Sequence, residues 1–436
     1  MLKRYGTRAA FCIGAALAAA EPVYVAEGPE LESSGRGASL VVTAENRDHR
    51  GKCGEVIRFR VDPVAPPPGT AAVRISRRVN FFTRTVEDHG ADRPFTVTMS
   101  SPLPAHLAVT GVYVDAAGRE IAPPPEIAPC GDGVLIEPDK LRPARPIPAD
   151  FDAFWEGELR KLAAVPLTAA RRTVARNDRW RGEDVEIPAA DGIPVKGYLV
   201  MPRECAKRSL PAVVYFHGAG FKSAQLRPEF GDRAIVFDVN AHGIPNGMTS
   251  EFYRELNRNP PADRRVLSGR NDRERSYFKN MFLRTARALD FVKSLPEWDG
   301  RTLIVSGRSQ GGAQALAAAA LVPEVTLCIA NVPALADHGG AAANRKPGWP
   351  QLVPGSDPEI AAASDYVDVI HLASRIRCET LISAGLVDPI CPPASVCLVY
   401  RNLRTKKHLN LVPRMGHNAP PPEADGRERI AKEVKP

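Results

Sequence analysis

Nowhere in its 436 residues does the chain carry a Lys/Arg block interleaved with aromatics. That absence removes the electrostatic footprint of a nucleic-acid binder. The formal net charge of +8 is mild over this length and reads as a solvated basic surface. No apolar run is long enough to cross a bilayer as a permanent helix. No internal repeat is present, so a solenoid or propeller is not expected. None of the eight cysteines shows zinc-ligand spacing. Seven remain once the N-terminal segment is set aside, and an odd count argues against a tight disulfide framework. Cys53 and Cys130 are placed to pair if the chain is exported. Cys328 and Cys378 lie in or beside strand patterns and read as small buried hydrophobes.

What is present fits a soluble globular protein of two domains. Hydrophobic residues make up 44% and charged residues 25%, enough for a sizeable core. Residues 1–20 read as an export signal. Lys3, Arg4 and Arg8 form a positive start, Ala9 to Leu17 is apolar, and Ala18-Ala19-Ala20 offers small residues for cleavage. A secreted or periplasmic protein is expected, with no membrane attachment after cleavage.

Residues 30–137 look all-β. Ile57-Arg58-Phe59-Arg60-Val61 alternates with period two, as do Val73-Arg74-Ile75 and Phe95 to Met99. Pro/Gly turns separate them, which predicts a sandwich-like N-terminal domain. A Pro-rich linker follows at 138–149. Asp150 is read as the N-cap of a helix carrying Phe154, Trp155, Leu159 and Leu162. From 150 to 436 strands alternate with helices. Ala212 to Phe216 and Ala234 to Phe237 are continuous apolar runs, as in sheet strands covered on both faces. Phe282, Ala286, Leu289 and Val292 form a helical core stripe. The polar stretch from Asn246 to Lys279 is long for a connection and is read as a lid or rim.

The chemistry centres on Ser306-Gly307-Arg308-Ser309-Gln310-Gly311-Gly312. It follows the apolar strand pattern Thr302 to Val305 and precedes an Ala-rich helix pattern. Strand, Gly-x-Ser-x-Gly and helix in that order predict a nucleophile elbow. Ser309 is the candidate nucleophile. Two partners follow in the chain order this arrangement uses. Asp388 lies just past the strand pattern Thr380 to Gly385. His417 lies just past Leu409 to Val412. Catalytic groups of an open α/β sheet collect at that edge. Asp365 and Asp368 are weighed against Asp388, but they precede its strand. His417 would act as the base and Asp388 would orient it. The backbone N–H groups of Gln310 and Ala219 are the candidate oxyanion donors, the latter in the loop His217-Gly218-Ala219-Gly220. His217 is read as shaping that loop, His242 as lining the substrate pocket, and His338 and His371 as structural or surface groups.

At these residues the sequence resembles the acetyl xylan esterase / cephalosporin C deacetylase family of the α/β-hydrolases. The resemblance runs from about Arg145 to His417. It rests on Pro148 to Trp155, on His217 to Gly220, on Arg287-Ala288-Leu289-Asp290 with Pro296 to Asp299, and on Gly307-Arg308-Ser309-Gln310-Gly311-Gly312. It implies an α/β-hydrolase fold, a mostly parallel sheet with helices on both faces, behind a smaller all-β domain. It also implies deacetylation of esterified carbohydrate with no metal or organic cofactor, and it leaves a homo-oligomer open. The chain departs from the family's pattern at Ala219, at Ala241-His242-Gly243 and at Asn418. A peptidase of the same fold, or a carbohydrate-binding protein with a vestigial hydrolase unit, are the alternatives.

Overall fold

The computed structural model describes residues 24–25, 40–121, 130–259, 265–355, 357–417 and 426–435. The expected export signal, and Asn418, lie outside them.

The N-terminal part is a two-sheet β-sandwich. Strands Leu40–Ala44, Ile57–Pro63 and Phe95–Met99 form one antiparallel sheet. The second contains Ala72–Val79, Thr83–His89, Ala105–Val114 and Gly131–Ile136. The period-two pattern explains the packing. Ile57, Phe59 and Val61 point into a shared core with Val73, Ile75, Leu107, Val109 and Val134, while Arg58 and Arg60 point out. Cys53 and Cys130 are free rather than paired.

The remainder is built on a ten-stranded sheet, whose edge strand Tyr24–Val25 pairs parallel with Lys407–Val412. Its centre is parallel and runs 407–412, 379–385, 327–331, 298–308, 210–216, 235–240. Strands 195–202, 180–187 and 170–176 extend it antiparallel. The strand Leu210–Phe216 lies between Ile235–Asn240 and Trp298–Arg308, so the strand order reverses there. Such a switch point opens a crevice at the carboxyl ends of the strands.

Helices cover both faces. Gln310–Leu321 is buried along its whole length, wedged between the sheet and Tyr277–Ser294. A helix apolar all round must be interior. Its alanines let the backbones approach and cost little side-chain entropy. The stripe Phe282, Ala286, Leu289 and Val292 is core, as its spacing predicts. On the other face Ile430 of the helix Arg427–Glu433, and Val434 just past its end, pack on Val213, Val236 and Ile304.

One local expectation fails. Asp150 precedes the helix Phe151–Ala163 but makes no side-chain cap bond. Its carboxylate instead accepts from Arg273, 2.7 Å away, and from the Tyr366 hydroxyl. A cationic guanidinium reinforced by a hydroxyl competes well against the neutral backbone N–H donor of a cap.

Candidate active site

Backbone geometry makes the site. Ser309 sits between strand and helix at φ 59° and ψ −121°, a conformation that costs about 1–3 kcal/mol and persists only under surrounding constraint. The constraint is visible on both sides. A Cβ on Gly307 would lie 2.1 Å from the Gly311 carbonyl oxygen, and one on Gly311 would lie 2.1 Å from that of Phe216. Only glycine permits these approaches. The Ser309 N–H donates to the Asn331 carbonyl at 2.9 Å, tying the elbow to the next strand.

Ser309, His417 and Asp388 meet. His417 Nε2 is 2.9 Å from Ser309 Oγ, and His417 Nδ1 is 2.8 Å from Asp388 Oδ2. The Asp388 side chain is fully buried, whereas that of His417 is 20% exposed. Asp388 Oδ1 accepts from the N–H groups of Ile390 at 2.8 Å and Cys391 at 3.1 Å. With only acceptor atoms facing it, Nδ1 carries the proton, and the Nε2 lone pair is free for the serine hydroxyl. Asp365 and Asp368 are committed elsewhere. Asp365 pairs bidentately with Arg145, and Asp368 accepts from the N–H groups of Asp337, His338 and Ile370.

The opposite flank holds the loop after Leu210–Phe216. A Cβ on Gly218 would stand 3.8 Å from Ser309 Cβ, so this loop passes beside the elbow serine. Ala219, next in line, is exposed. Gln310 opens its helix, so its N–H has no acceptor within the helix. His217 Nδ1 is 2.7 Å from the Gly218 carbonyl oxygen. Burial holds its imidazole down at a pKa of about 4. His242 lies behind Gln310, with Nε2 3.2 Å from the side-chain amide and Nδ1 bonded to the Tyr277 hydroxyl. Burial, then His217, Arg284 and Lys222, push its pKa well below the usual value. A cavity of about 590 Å³ beside the elbow strand is lined by His217, Gly218, Lys222 and Arg308 among others, but not by His242. Asn257, from the helix Ser250–Arg258, brackets the backbone of Phe221, with bonds of 2.8 Å to its N–H and 2.7 Å to its carbonyl.

Three contributors escape sequence reading. The Arg308 guanidinium donates to the His417 carbonyl. Tyr277 anchors His242. Cys391 is buried in the Asp388 turn, and burial, then Asp388, push its thiol well above its ordinary pKa. Ligand atoms of Asp388, Cys391 and His417 lie within 4.8 Å of one another. Both ring nitrogens of His417 are taken up by the bonds to Ser309 and Asp388. His338 and His371, read as structural or surface groups, are both buried.

A switch-point crevice with a serine on a strained elbow, hydrogen-bonded to a histidine that is itself bonded to an aspartate, defines an α/β-hydrolase. The family profile described as Acetyl xylan esterase (AXE1) matches residues 133–346 and 351–429. The chain belongs to that family. It is 33% identical over 294 residues to acetyl esterase Axe7A of Xylanibacter ruminicola, a match covering 65% of this chain and 66% of that protein. Among solved structures it is similar to the acetyl xylan esterase from Paenibacillus sp. R4. The identity is 27% and the TM-score 0.54, over 66% of this chain and 95% of that one. Acetyl xylan esterase 1 from Thermoanaerobacterium sp. JW/SL YS485 shares the fold at 24% identity and a TM-score of 0.54, over 67% and 95%. Among the described residues no helix is long and apolar enough to cross a membrane.

Proposed function

We propose that the protein is an exported serine esterase that removes acetyl groups from esterified carbohydrates. Ser309 is the nucleophile, His417 the general base and acid, and Asp388 the group that orients His417. The unbroken hydrogen-bond chain from Ser309 through His417 to Asp388 carries the reading. Its family membership supports the acetyl ester as substrate. The basic start and apolar run of residues 1–20 support export. The separate cores of the sandwich and the large sheet support a division into a β-domain at 30–137, a linker at 138–149 and a catalytic domain at 150–436.

Ser309 Oγ attacks the acetyl carbonyl as Nε2 of His417 takes its proton. The developing oxyanion is met by the N–H groups of Gln310 and Ala219, each worth about 2.7–4 kcal/mol in such a hole. The imidazolium then protonates the sugar oxygen as its bond to the acyl carbon breaks, and the sugar leaves with a free hydroxyl. The acyl-enzyme reacts with water activated by the same nitrogen and releases acetate.

The test is a panel of acetylated xylan, acetylated monosaccharides, cephalosporin C, longer acyl esters and a peptide, assayed with wild type and Ser309→Ala. Acetyl esters should turn over fastest, and the variant should be inactive on all. Equal rates for the two proteins, or a peptide cleaved faster than every acetyl ester, would overturn the reading.

A further inference from the structure

The turn carrying Asp388 does not rest on the hydrolase sheet alone. Its inner side is fixed there by backbone bonds, from Leu386 N–H to Val412 O at 3.0 Å and from Val387 N–H to Met415 O at 3.0 Å. Its outer side lies on the N-terminal sandwich. The strand Gly131–Ile136, paired antiparallel with Ala105–Val114, presents two glycines to it. A Cβ on Gly133 would lie 2.5 Å from the Leu386 carbonyl oxygen and 2.6 Å from His106 Nε2. One on Gly131 would lie 3.2 Å from Val387 Cγ1. Real Cβ atoms do not come so close to backbone oxygen, so the fit at Gly133 tolerates no side chain.

His106 completes the contact. It is wholly buried and stacked on Phe81, ring centroids 5.3 Å apart. Both ring nitrogens are buried without a hydrogen-bond partner among the described residues, and the ring fills the space between Phe81 and Gly133 beside the Leu386 turn. Asn80 anchors this corner from the other side. Its Oδ1 accepts from His106 N–H at 2.8 Å, and its carbonyl accepts from Lys346 N–H of the hydrolase part at 3.1 Å. Leu386 is two residues from Asp388, and that carboxylate stands 2.8 Å from His417. A displacement of the turn therefore reaches the triad through one short, stiff segment.

We propose that the N-terminal sandwich is part of the catalytic apparatus: His106 and Gly133 are positioning residues that seat the Leu386–Asp388 turn and set the carboxylate under His417. The inference rests on the triad reading above. It gives the sandwich a role inside the site, apart from any carbohydrate it binds.

The test uses full-length Gly133→Val, His106→Ala and His106→Gln, with Val86→Ala on an exposed edge strand as control. Rates are expressed per folded molecule, counted by near-ultraviolet circular dichroism. Gly133→Val and His106→Ala should lower kcat about tenfold to a hundredfold, the cost of misplacing a catalytic group by about 1 Å. KM should change less than twofold, and the acylation burst should slow in proportion to kcat. His106→Gln, which keeps much of the ring's volume, should recover most of the loss, and Val86→Ala should match wild type. If Gly133→Val does not fold, the two His106 variants decide. A lowered melting temperature with kcat per folded molecule unchanged would overturn the proposal and leave the sandwich a stabilising layer. An active Ser309→Ala would instead overturn the triad reading itself.

Discussion

Two histidine environments face each other across Ser309. On one side His417 has a carboxylate on Nδ1, the serine on Nε2 and a partly exposed ring. On the other, His217 and His242 stand with ring centroids 5.3 Å apart, enclosed by Phe221, Tyr277 and backbone. No carboxylate contacts either of these rings among the described residues. Burial holds both neutral, His217 at a pKa of about 4 and His242 well below its usual value. Nearness to Ser309 therefore does not make a base. A general base must be able to hold the proton it takes, and a desolvated imidazole with no counter-charge cannot.

The largest effect should separate the two sides outright. His417→Ala should lower kcat by about five to six orders of magnitude, as removal of a base that acts as a unit with its serine does. His217→Ala and His242→Ala should stay within about a hundredfold, because they shift neighbours without removing a proton carrier. Single-turnover rates on an acetyl aryl ester measure both. A loss at His242 equal to that at His417 would erase the distinction.

Asp388→Asn sharpens the comparison. The amide keeps the shape but removes the acceptor charge that selects the tautomer. A drop of about ten-thousand-fold in kcat is expected, with KM nearly unchanged. A loss below tenfold would mean that the carboxylate is not what distinguishes His417.

Much of this site is legible in the chain because its pieces are local. Gly307-Arg308-Ser309-Gln310-Gly311 encodes its own turn, and Asp388 and His417 each follow an apolar run that can only be a covered strand. What is not legible is what those loops touch. Asp150 stands where a cap belongs, yet its carboxylate goes to Arg273 and Tyr366, more than a hundred positions away. His338 and His371 carry no periodic signal that marks them as interior. Gly131 and Gly133 look like ordinary turn glycines, and only the folded contact with Leu386 and Val387 reveals why a side chain is excluded there. Local propensity speaks for a residue's own segment, while a seat between two layers is a property of their docking.

The third effect concerns stability. His106 and His338 share the burial of the His217 side, and burial lowers each to a pKa of about 4 from 6.5. For His338 the nearby Asp337 and Asp365 pull the other way without prevailing. In the unfolded chain both imidazoles protonate below pH 6.5, while in the folded protein they stay neutral to about pH 4. Unfolding then takes up protons, so stability falls as pH drops through this window. The loss is up to about 3 kcal/mol per imidazole by pH 4. Denaturant melts from pH 7 to 4 should show it, and His338→Gln should flatten the curve by about one proton. An unchanged slope would place the charged form of His338 inside the folded protein.

The smallest effect probes how the neutral side contributes. Tyr277 bonds His242, and His242 meets the side chain of Gln310, whose backbone N–H is the proposed oxyanion donor. Tyr277→Phe keeps the ring stacking and deletes only the hydroxyl. Losing one such bond is worth about 0.5–1.5 kcal/mol, which corresponds to roughly a twofold to twelvefold fall in kcat if it reaches the donor. The fall should appear in kcat rather than KM, since the oxyanion exists only along the reaction path. It should also be absent in a Gln310→Ala background, where the relay has no last link. A Tyr277→Phe loss that persists undiminished there would assign the tyrosine to the substrate pocket, and the neutral histidines would then be scaffolding for binding rather than for the oxyanion.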